Sequence, residues 1–491
     1  MYTARKAAAH RQRRLILDDD GDLVYDKRTQ DGPESFCQLR LKDCLEASVD
    51  SIAWCVIWGI AQGSPESVRY WQTQMRDIPF QPNMPDPTPV MIEFCQQHKI
   101  EIFGSIRMND CHDAYGMPFD KLVYPLKVEY PGILIGDGSQ RGTVESGQEA
   151  AMWSGLDFAQ DRVREDRLWW IKHTATAYDL DGVDLNFFRM PWLFKIGQES
   201  THLMTDLIRQ ARQCIDGISQ QRERPILLGV RVPGTVETCL RIGLDIETWL
   251  KEDLIDRLLT GGGYVAFSTP AEELVNLGHR YEVPVYPCIN CPGAYSMGNE
   301  FGIEALRGAA SNMWWSGADG LYLWNYHYLP TPHITYGQPF PSEYRHLLDI
   351  AEPKKLQYLD KVFAVNTQIW EQYARASAQC PLPVVLNGEQ HQIQIRIGDD
   401  VPSAAGSERL QDITLKLKLT GLNANDLYHI MFNGMNINAR GIQLKNCEWV
   451  NQKLNPNIIK HGNNELEIAV IQHDTRSSPV LEEVMLHVRY N

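Results

Sequence analysis

Eight short runs rich in apolar and β-branched residues, at 14–18, 51–57, 101–106, 182–186, 226–231, 255–260, 283–287 and 319–323, alternate with longer stretches of helical periodicity. No other feature constrains the fold as tightly. Strand-like runs separated by helix-length segments read as βα units around a parallel sheet. Eight of them close into a (β/α)8 TIM barrel more readily than they extend an open sheet. The intervening segments carry the matching stripes: Leu156, Ala159, Val163, Trp170 and Ile171 are in helical phase over 156–178, and Leu203, Leu207, Ala211, Ile215 and Ile218 over 201–218. The connection 108–154 is far longer than a simple βα loop, so it is expected to overhang the barrel mouth as a lid or subsite wall.

After residue 381 the helical period fades and period-two alternation replaces it, as in Gln392-Ile393-Gln394-Ile395-Arg396-Ile397 and Ile413-Thr414-Leu415-Lys416-Leu417. Alternation with turns between the runs predicts an antiparallel β-sandwich of jelly-roll type. The expected organisation is therefore a catalytic barrel over 1–380 and a C-terminal sandwich over 381–491. Of 13 tryptophans only Trp449 falls in the second region, which favours a buttress over a sugar-binding platform.

With 47 Lys+Arg against 62 Asp+Glu the formal charge is −15, a balance that excludes a general nucleic-acid or anionic-membrane partner. The longest uncharged apolar run, 51–60, is too short to span a bilayer. Residues 1–14 are basic but lead into Leu15-Ile16-Leu17-Asp18-Asp19-Asp20 without an apolar signal core, so the expected location is the cytoplasm. The 11 cysteines are an odd number in a long chain and are expected to be mostly reduced and buried. Cys288 and Cys291 form a lone C-x-x-C without a second pair, so no metal and no cofactor is expected.

Chemistry is sought at the strand ends, because barrel strands aim their last side chains into the mouth. Four ends are unusually polar: Asp18-Asp19-Asp20 after the first run, Arg107-Met108-Asn109-Asp110-Cys111-His112-Asp113 after the third, Asp184-Leu185-Asn186 to Arg189 at the fourth, and Trp324-Asn325-Tyr326 after the eighth. Asp184 and Asn186 share one face of their strand and point inward together. A buried inward carboxylate is costly unless paired or catalytic. Asp184 thus reads either as a reacting group or as the partner of Arg189 or Arg231. Asp110, and after it Asp113, is the expected second carboxylate. Asp18 or Asp19 could reach the centre, and with His112 the two would be the oxygen-rich set of a metal-dependent hydrolase. Arg107, Arg189 and Arg231, at three neighbouring strand ends, either form a pocket for an anionic group or neutralise the local aspartates. Asn109, His112, Asp113, Asn186, Asn325 and Tyr326 are candidate polar contacts to substrate, and Trp192 and Trp324 candidate stacking faces.

Two segments, Arg107-Met108-Asn109-Asp110-Cys111-His112-Asp113 and Asp181-Gly182-Val183-Asp184-Leu185-Asn186-Phe187-Phe188-Arg189, carry a resemblance to glycosyl-hydrolase-like barrels, in particular to glycosyl-hydrolase-like family 10. Weaker matches at Leu17-Asp18-Asp19-Asp20-Gly21, Val230-Arg231-Val232-Pro233 and Gly317-Ala318-Asp319-Gly320 extend it in order along the barrel. The resemblance implies a glycoside hydrolase that acts on a carbohydrate substrate with a carboxylate pair at the mouth. Such barrels usually place carboxylates at the ends of strands four and seven, but here the seventh run ends Tyr286-Pro287-Cys288-Ile289-Asn290. The partner of Asp184 must then come from elsewhere. Glycoside hydrolysis by Asp184 and Asp110, the latter as proton donor beside a like charge, is the leading expectation, with a neutral or anionic oligo- or polysaccharide as substrate. A glycan-binding protein without turnover is the alternative.

Overall fold

The computed structural model describes residues 1–19, 32–56, 86–115, 124–140, 149–261, 270–290, 303–324, 346–365, 381–421, 427–437, 449–472 and 479–491. Eight parallel strands close a barrel in sequence order: β1 (Leu15–Asp19), β2 (Ser51–Cys55), β3 (Glu101–Arg107), β4 (Gly182–Asn186), β5 (Leu227–Val232), β6 (Arg257–Thr260), β7 (Val285–Asn290) and β8 (Leu321–Trp324). Each falls on one of the eight expected runs. Every residue of β1 to β6 and of β8 is buried. That explains why these runs read as apolar stretches without clean alternation: one face packs on the helices and the other fills the barrel.

The helix Thr201–Gln221 shows how the outer layer is set. The Ser200 hydroxyl caps its start by accepting from the Leu203 amide, and Met204, Leu207, Ile208, Ala211, Ile215 and Ile218 form its buried stripe. Two glycines make room where strands approach each other. A Cβ on Gly182 would stand 2.2 Å from the Phe103 ring, and one on Gly229 would stand 2.0 Å from a carboxylate oxygen of Asp184. Gly229 thereby leaves space inside the barrel for a charged side chain of the next strand.

The N-terminal helix Tyr2–Ala9 seals the floor, at the N-terminal ends of the strands. Arg13 ties it there: its guanidinium bonds Glu101 at 2.6 and 3.0 Å and reaches the helix-end carbonyls of Ala8 and Ala9 at 2.8 and 2.7 Å. Arg5 pairs with Asp256 at 2.9 Å and Asp253 at 2.5 Å from the same helix.

The C-terminal region forms two antiparallel sheets. One has the order β10 (Val384–Val385), β17 (Val480–Tyr490), β12 (Leu410–Thr420), β15 (Trp449–Lys453), with β9 (Lys361–Ala364) also on β17; the other has the order β11 (His391–Ile397), β16 (Gly462–Gln472), β13 (Leu427–Phe432), β14 (Met435–Asn436). Alternate residues such as Ile393, Ile395, Ile413, Leu415 and Leu417 fill the space between them. Strand β9 lies N-terminal to residue 381 and serves both units. Val362 and Ala364 pack in the barrel core, whereas Phe363 joins the sandwich core. The seam also buries the Lys361 ammonium, which meets Asp399 at 2.8 Å, and burial holds its pKa below the ordinary lysine range.

Candidate active site at the barrel mouth

Strand alternation places Asp18, Asp184, Asn186, Arg231, Arg257, Cys288, Tyr322 and Trp324 inside the barrel, all buried. They form two levels. At the lower level the Arg257 guanidinium takes both oxygens of Asp184, with Nε–Oδ1 at 2.9 Å and a second, parallel contact from Nη2 to Oδ2. A bidentate pair of this kind fixes both side chains. The Phe103 ring covers the other side of the same guanidinium, 3.2 Å from its centre.

At the upper level the Tyr322 hydroxyl donates to Oδ1 of Asp18 at 2.5 Å. Burial pushes the Tyr322 pKa well up, with the Asp18 carboxylate next in effect and Asp184 also contributing. The phenol therefore stays protonated, bonded to the β1 carboxylate, with the β4 carboxylate acting on it only through its charge. Arg231 donates to the Asn186 side-chain oxygen at 3.4 Å and toward the Cys288 sulfur at 3.9 Å. Its guanidinium lies 4.3 Å from the Trp324 ring centroid, and Arg189 approaches the same indole at 5.4 Å. Cys288 is buried, which pushes its thiol up to about 11, against the lowering field of Arg231.

The sequence-predicted residues divide accordingly. Asp184, Asn186, Arg231 and Trp324 come together in the barrel, with Arg189 at its upper edge; the partner of Asp184 is Arg257, which the sequence reading did not consider. The expectation for Asp19 is corrected. It follows Asp18 by one residue and so faces the opposite way, toward the helix Pro33–Leu41, where Arg40 binds both its oxygens, Nε at 2.6 Å. Asp18 and Asp19 therefore cannot serve one metal ion from a shared face. Among the described residues no group of three or more His, Cys, Asp and Glu is placed to hold a metal ion.

The β3 end behaves differently from expectation. Asn109 uses its amide group on the backbone, donating to Leu156 and Trp192 carbonyls at 3.0 and 2.6 Å and accepting from the Leu156 and Asp110 amides at 2.9 and 3.1 Å. All four of its bonds are spent on holding the loops, so it is a clamp and not a substrate contact. Trp192 is buried beside it. Asp113 accepts from Lys127 at 2.8 Å and from the Ser154 hydroxyl at 2.7 Å, which staples the long connection to the end of β3. Arg107 pairs with Asp110 at 2.7 Å. Both line a cleft of about 400 Å³, its open side included, together with Tyr124, Lys127, Arg167 and Trp170. Asn325 and Tyr326 lie outside the described residues, as does the side chain of His112.

Sequence reasoning left open which of Asp18 and Asp19 turns inward, and it missed Tyr322, Arg257 and Cys288 as lining residues. A signal existed for Tyr322, two residues before Trp324 and so on the same strand face. Another existed for Arg257, since Asp256-Arg257 is a charged pair inside an apolar run and its members must face opposite sides. Asp256 indeed turns outward to Arg212 at 2.8 Å.

No family model matches the chain, and no curated protein matches it. Solved structures show distant likeness. A cycloisomaltooligosaccharide glucanotransferase from a Paenibacillus species aligns over 97% of this chain at 9% identity with a TM-score of 0.33, and this chain spans 57% of its length. An N-acetylglucosaminidase of glycoside hydrolase family 18 from Paenibacillus barengoltzii aligns over 68% of this chain and 99% of its own, at 11% identity and TM-score 0.36. A chitinase from Bacillus thuringiensis aligns over 97% of this chain and all 100% of its own, at 8% identity and TM-score 0.40. Likeness of this size carries no argument about the site, which rests on this chain's own residues.

Proposed function

We propose that the protein is a glycoside hydrolase whose reacting groups lie at the upper level of the barrel. The observation that carries this reading is the hydrogen bond from the Tyr322 hydroxyl to Asp18 inside the barrel, with the Asp184 charge acting on the same phenol. Glycoside hydrolysis usually needs two carboxyl groups, one to protonate the leaving oxygen and one to act as base or nucleophile. Asp184, held in place by Arg257, supplies one of the two carboxyl groups. Asp18, whose Oδ1 is oriented by the Tyr322 hydroxyl, is the group placed to handle a proton. Asp110, expected from sequence as the donor, is held by Arg107 in the cleft beside β3 and is the rival for that role. The resemblance of the β3 and β4 segments to glycosyl-hydrolase-like family 10 agrees with this reading.

A second reading has a specific observation behind it. Both oxygens of Asp184 bond Arg257, and β7 ends Cys288-Ile289-Asn290 without a carboxylate. This favours a glycan-binding protein without turnover.

The experiment is release of sugars from a panel of neutral and acidic oligosaccharides, followed by chromatography, with wild type, Asp18→Asn, Asp110→Asn and Asp184→Asn. Release by wild type that disappears in a folded Asp18→Asn variant supports the hydrolase. Absence of release from every glycan, with binding that survives all three substitutions, moves the assignment to the binding protein.

A further inference from the structure

Resting on the hydrolase reading above, we propose that Ser311 and Asn312 are positioning residues, through which the C-terminal sandwich holds Tyr322 in place against Asp18. Both lie on the helix Ile303–Trp315, which leads into β8. One side of this helix, with Ala305, Leu306, Ala309, Ala310 and Met313, packs in the barrel core. The other side carries Gly308, Ser311, Asn312 and Trp315 at helical spacing and faces the sandwich. The approach is close: a Cβ on Gly398 would stand 2.3 Å from the Ser311 carbonyl oxygen. Ser311 and Asn312 are only 6% and 3% exposed, so each needs a polar partner, and each finds it in the sandwich. The Gly398 amide donates to Oδ1 of Asn312 at 2.8 Å, and the Ser311 hydroxyl donates to Oδ1 of Asp399 at 2.5 Å. Asp399 is itself anchored from two strands, by the Lys361 ammonium of β9 at 2.8 Å and by the Tyr490 hydroxyl of β17. The helix therefore takes its position from the sandwich as well as from the barrel.

The link between the helix and β8 has no slack. The amides of Ser316, Gly317 and Ala318 donate to carbonyls of the helix end at 3.1, 3.0 and 3.4 Å, and that of Asp319 donates to Val285 of β7 at 3.0 Å. A Cβ on Gly320 would stand 1.8 Å from the Arg13 carbonyl oxygen, so the chain is pressed against the segment that enters β1. Tyr322 follows directly and meets Asp18 at 2.5 Å. A displacement of the helix thus reaches the Tyr322 hydroxyl, and both hydrogen bonding and catalysis are sensitive to shifts of a fraction of an ångström. The sandwich is a brace for one strand of the barrel and not a detachable sugar-binding module.

Three full-length variants test this. Asn312→Leu removes the acceptor of the Gly398 amide, Ser311→Ala removes the donor to Asp399, and Ser311→Thr keeps that hydroxyl. Each is read by steady-state kinetics on the oligosaccharide of the panel above that wild type cleaves fastest, and by hydrogen–deuterium exchange followed strand by strand. Asn312→Leu is expected to lower kcat by about tenfold and Ser311→Ala by somewhat less, with KM within about twofold of wild type. Ser311→Thr is expected to stay near wild type. Exchange should quicken at the amides of β8 while β3 and β4 stay protected. In the Tyr322→Phe background Asn312→Leu should cost no further kcat, since the hydroxyl it positions is gone. Should Asn312→Leu fail to fold, the Ser311 pair carries the test. Faster exchange throughout the barrel, or a kcat loss that adds in full to that of Tyr322→Phe, reduces the two residues to general stability and overturns the inference. Unchanged exchange at β8, whatever happens to kcat, overturns it too, and turnover by wild type then leaves the hydrolase reading standing. Exchange that quickens at β8 alone, in a protein that hydrolyses no glycan in any form, supports the brace and overturns the hydrolase reading.

Discussion

The floor and the mouth of the barrel set their arginines against different surroundings. At the floor four guanidiniums end on carboxylates supplied by the protein: Arg13 on Glu101, Arg257 on Asp184, and Arg5 and Arg212 on Asp256. At the mouth Arg189 and Arg231 lie over an indole. Buried pairs completed within the chain hold the strands in place. Asp184 stands at the join between these regions, fastened from below by Arg257 and close to Tyr322 above, so it is the residue at which the contrast can be broken.

The largest effect is expected at that join. Arg257→Met would leave the Asp184 carboxylate buried without its partner, at a cost of about 3–5 kcal/mol, whereas the double variant Arg257→Met with Asp184→Leu should recover most of that loss. Denaturant unfolding of the three proteins reads both numbers. A cost below about 1 kcal/mol for the single variant would mean that Asp184 is not a floor residue, and the division drawn above would fail.

Adjacent aspartates give the next test. Asp18→Asn should lower kcat by about 10²–10⁴-fold, the usual worth of a positioned acid or base, with little change in melting temperature. Asp19→Asn should do the reverse, losing stability through its buried bond to Arg40 while keeping kcat. Equal losses of activity in both variants would show that the two side chains are not separated by the strand as alternation requires.

Alkaline pH probes the interior between the two regions. Burial raises the Cys288 thiol from 9.0 to about 11, so below pH 9 its neutral form is present whether the chain is folded or not. Above pH 9 the unfolded chain releases the proton and the folded one retains it. The contribution to stability is therefore full below pH 9 and is lost as pH rises toward 11, by up to about 3 kcal/mol. Urea midpoints should fall over that window, and Cys288→Ala should remove part of the slope. The remainder belongs to other buried thiols such as Cys37, which burial pushes up to about 12. A slope identical in the variant and wild type would show that Cys288 titrates in the folded protein as it does in solvent.

How much of this was legible in the sequence depends on which face a residue uses. The eight strands could be located because buried parallel strands are dense in apolar residues, and the sandwich because antiparallel strands with one wet face alternate. Within a run such as Leu15-Ile16-Leu17-Asp18-Asp19 both faces are buried, so polarity no longer tells inside from outside, and the choice between Asp18 and Asp19 stayed open. At β4 the alternation Val183, Asp184, Leu185, Asn186 was clear, and the inward assignment of Asp184 followed. Its partner was not legible, because Arg257 lies 73 residues away on β6 and only closure of the barrel brings the two together. The β3 end failed for another reason. A cluster of Arg, Asn, Asp and His looks alike whether it binds a substrate or staples a long loop, and only the bonds of Asn109 and Asp113 to Leu156, Trp192, Lys127 and Ser154 distinguish the two.

The smallest effect expected is the most informative about the mouth. Tyr322→Phe removes one hydroxyl, the donor to Asp18 at 2.5 Å, and leaves the ring against which Arg231 packs at 5.7 Å. The hydroxyl orients the Asp18 carboxyl group, so its loss should lower kcat by about tenfold, the worth of one hydrogen bond. KM should move little, since no substrate contact is removed. A kcat equal to wild type in Tyr322→Phe would separate the Asp18–Tyr322 pair from catalysis. The mouth would then differ from the floor only in where its ion pairs stand.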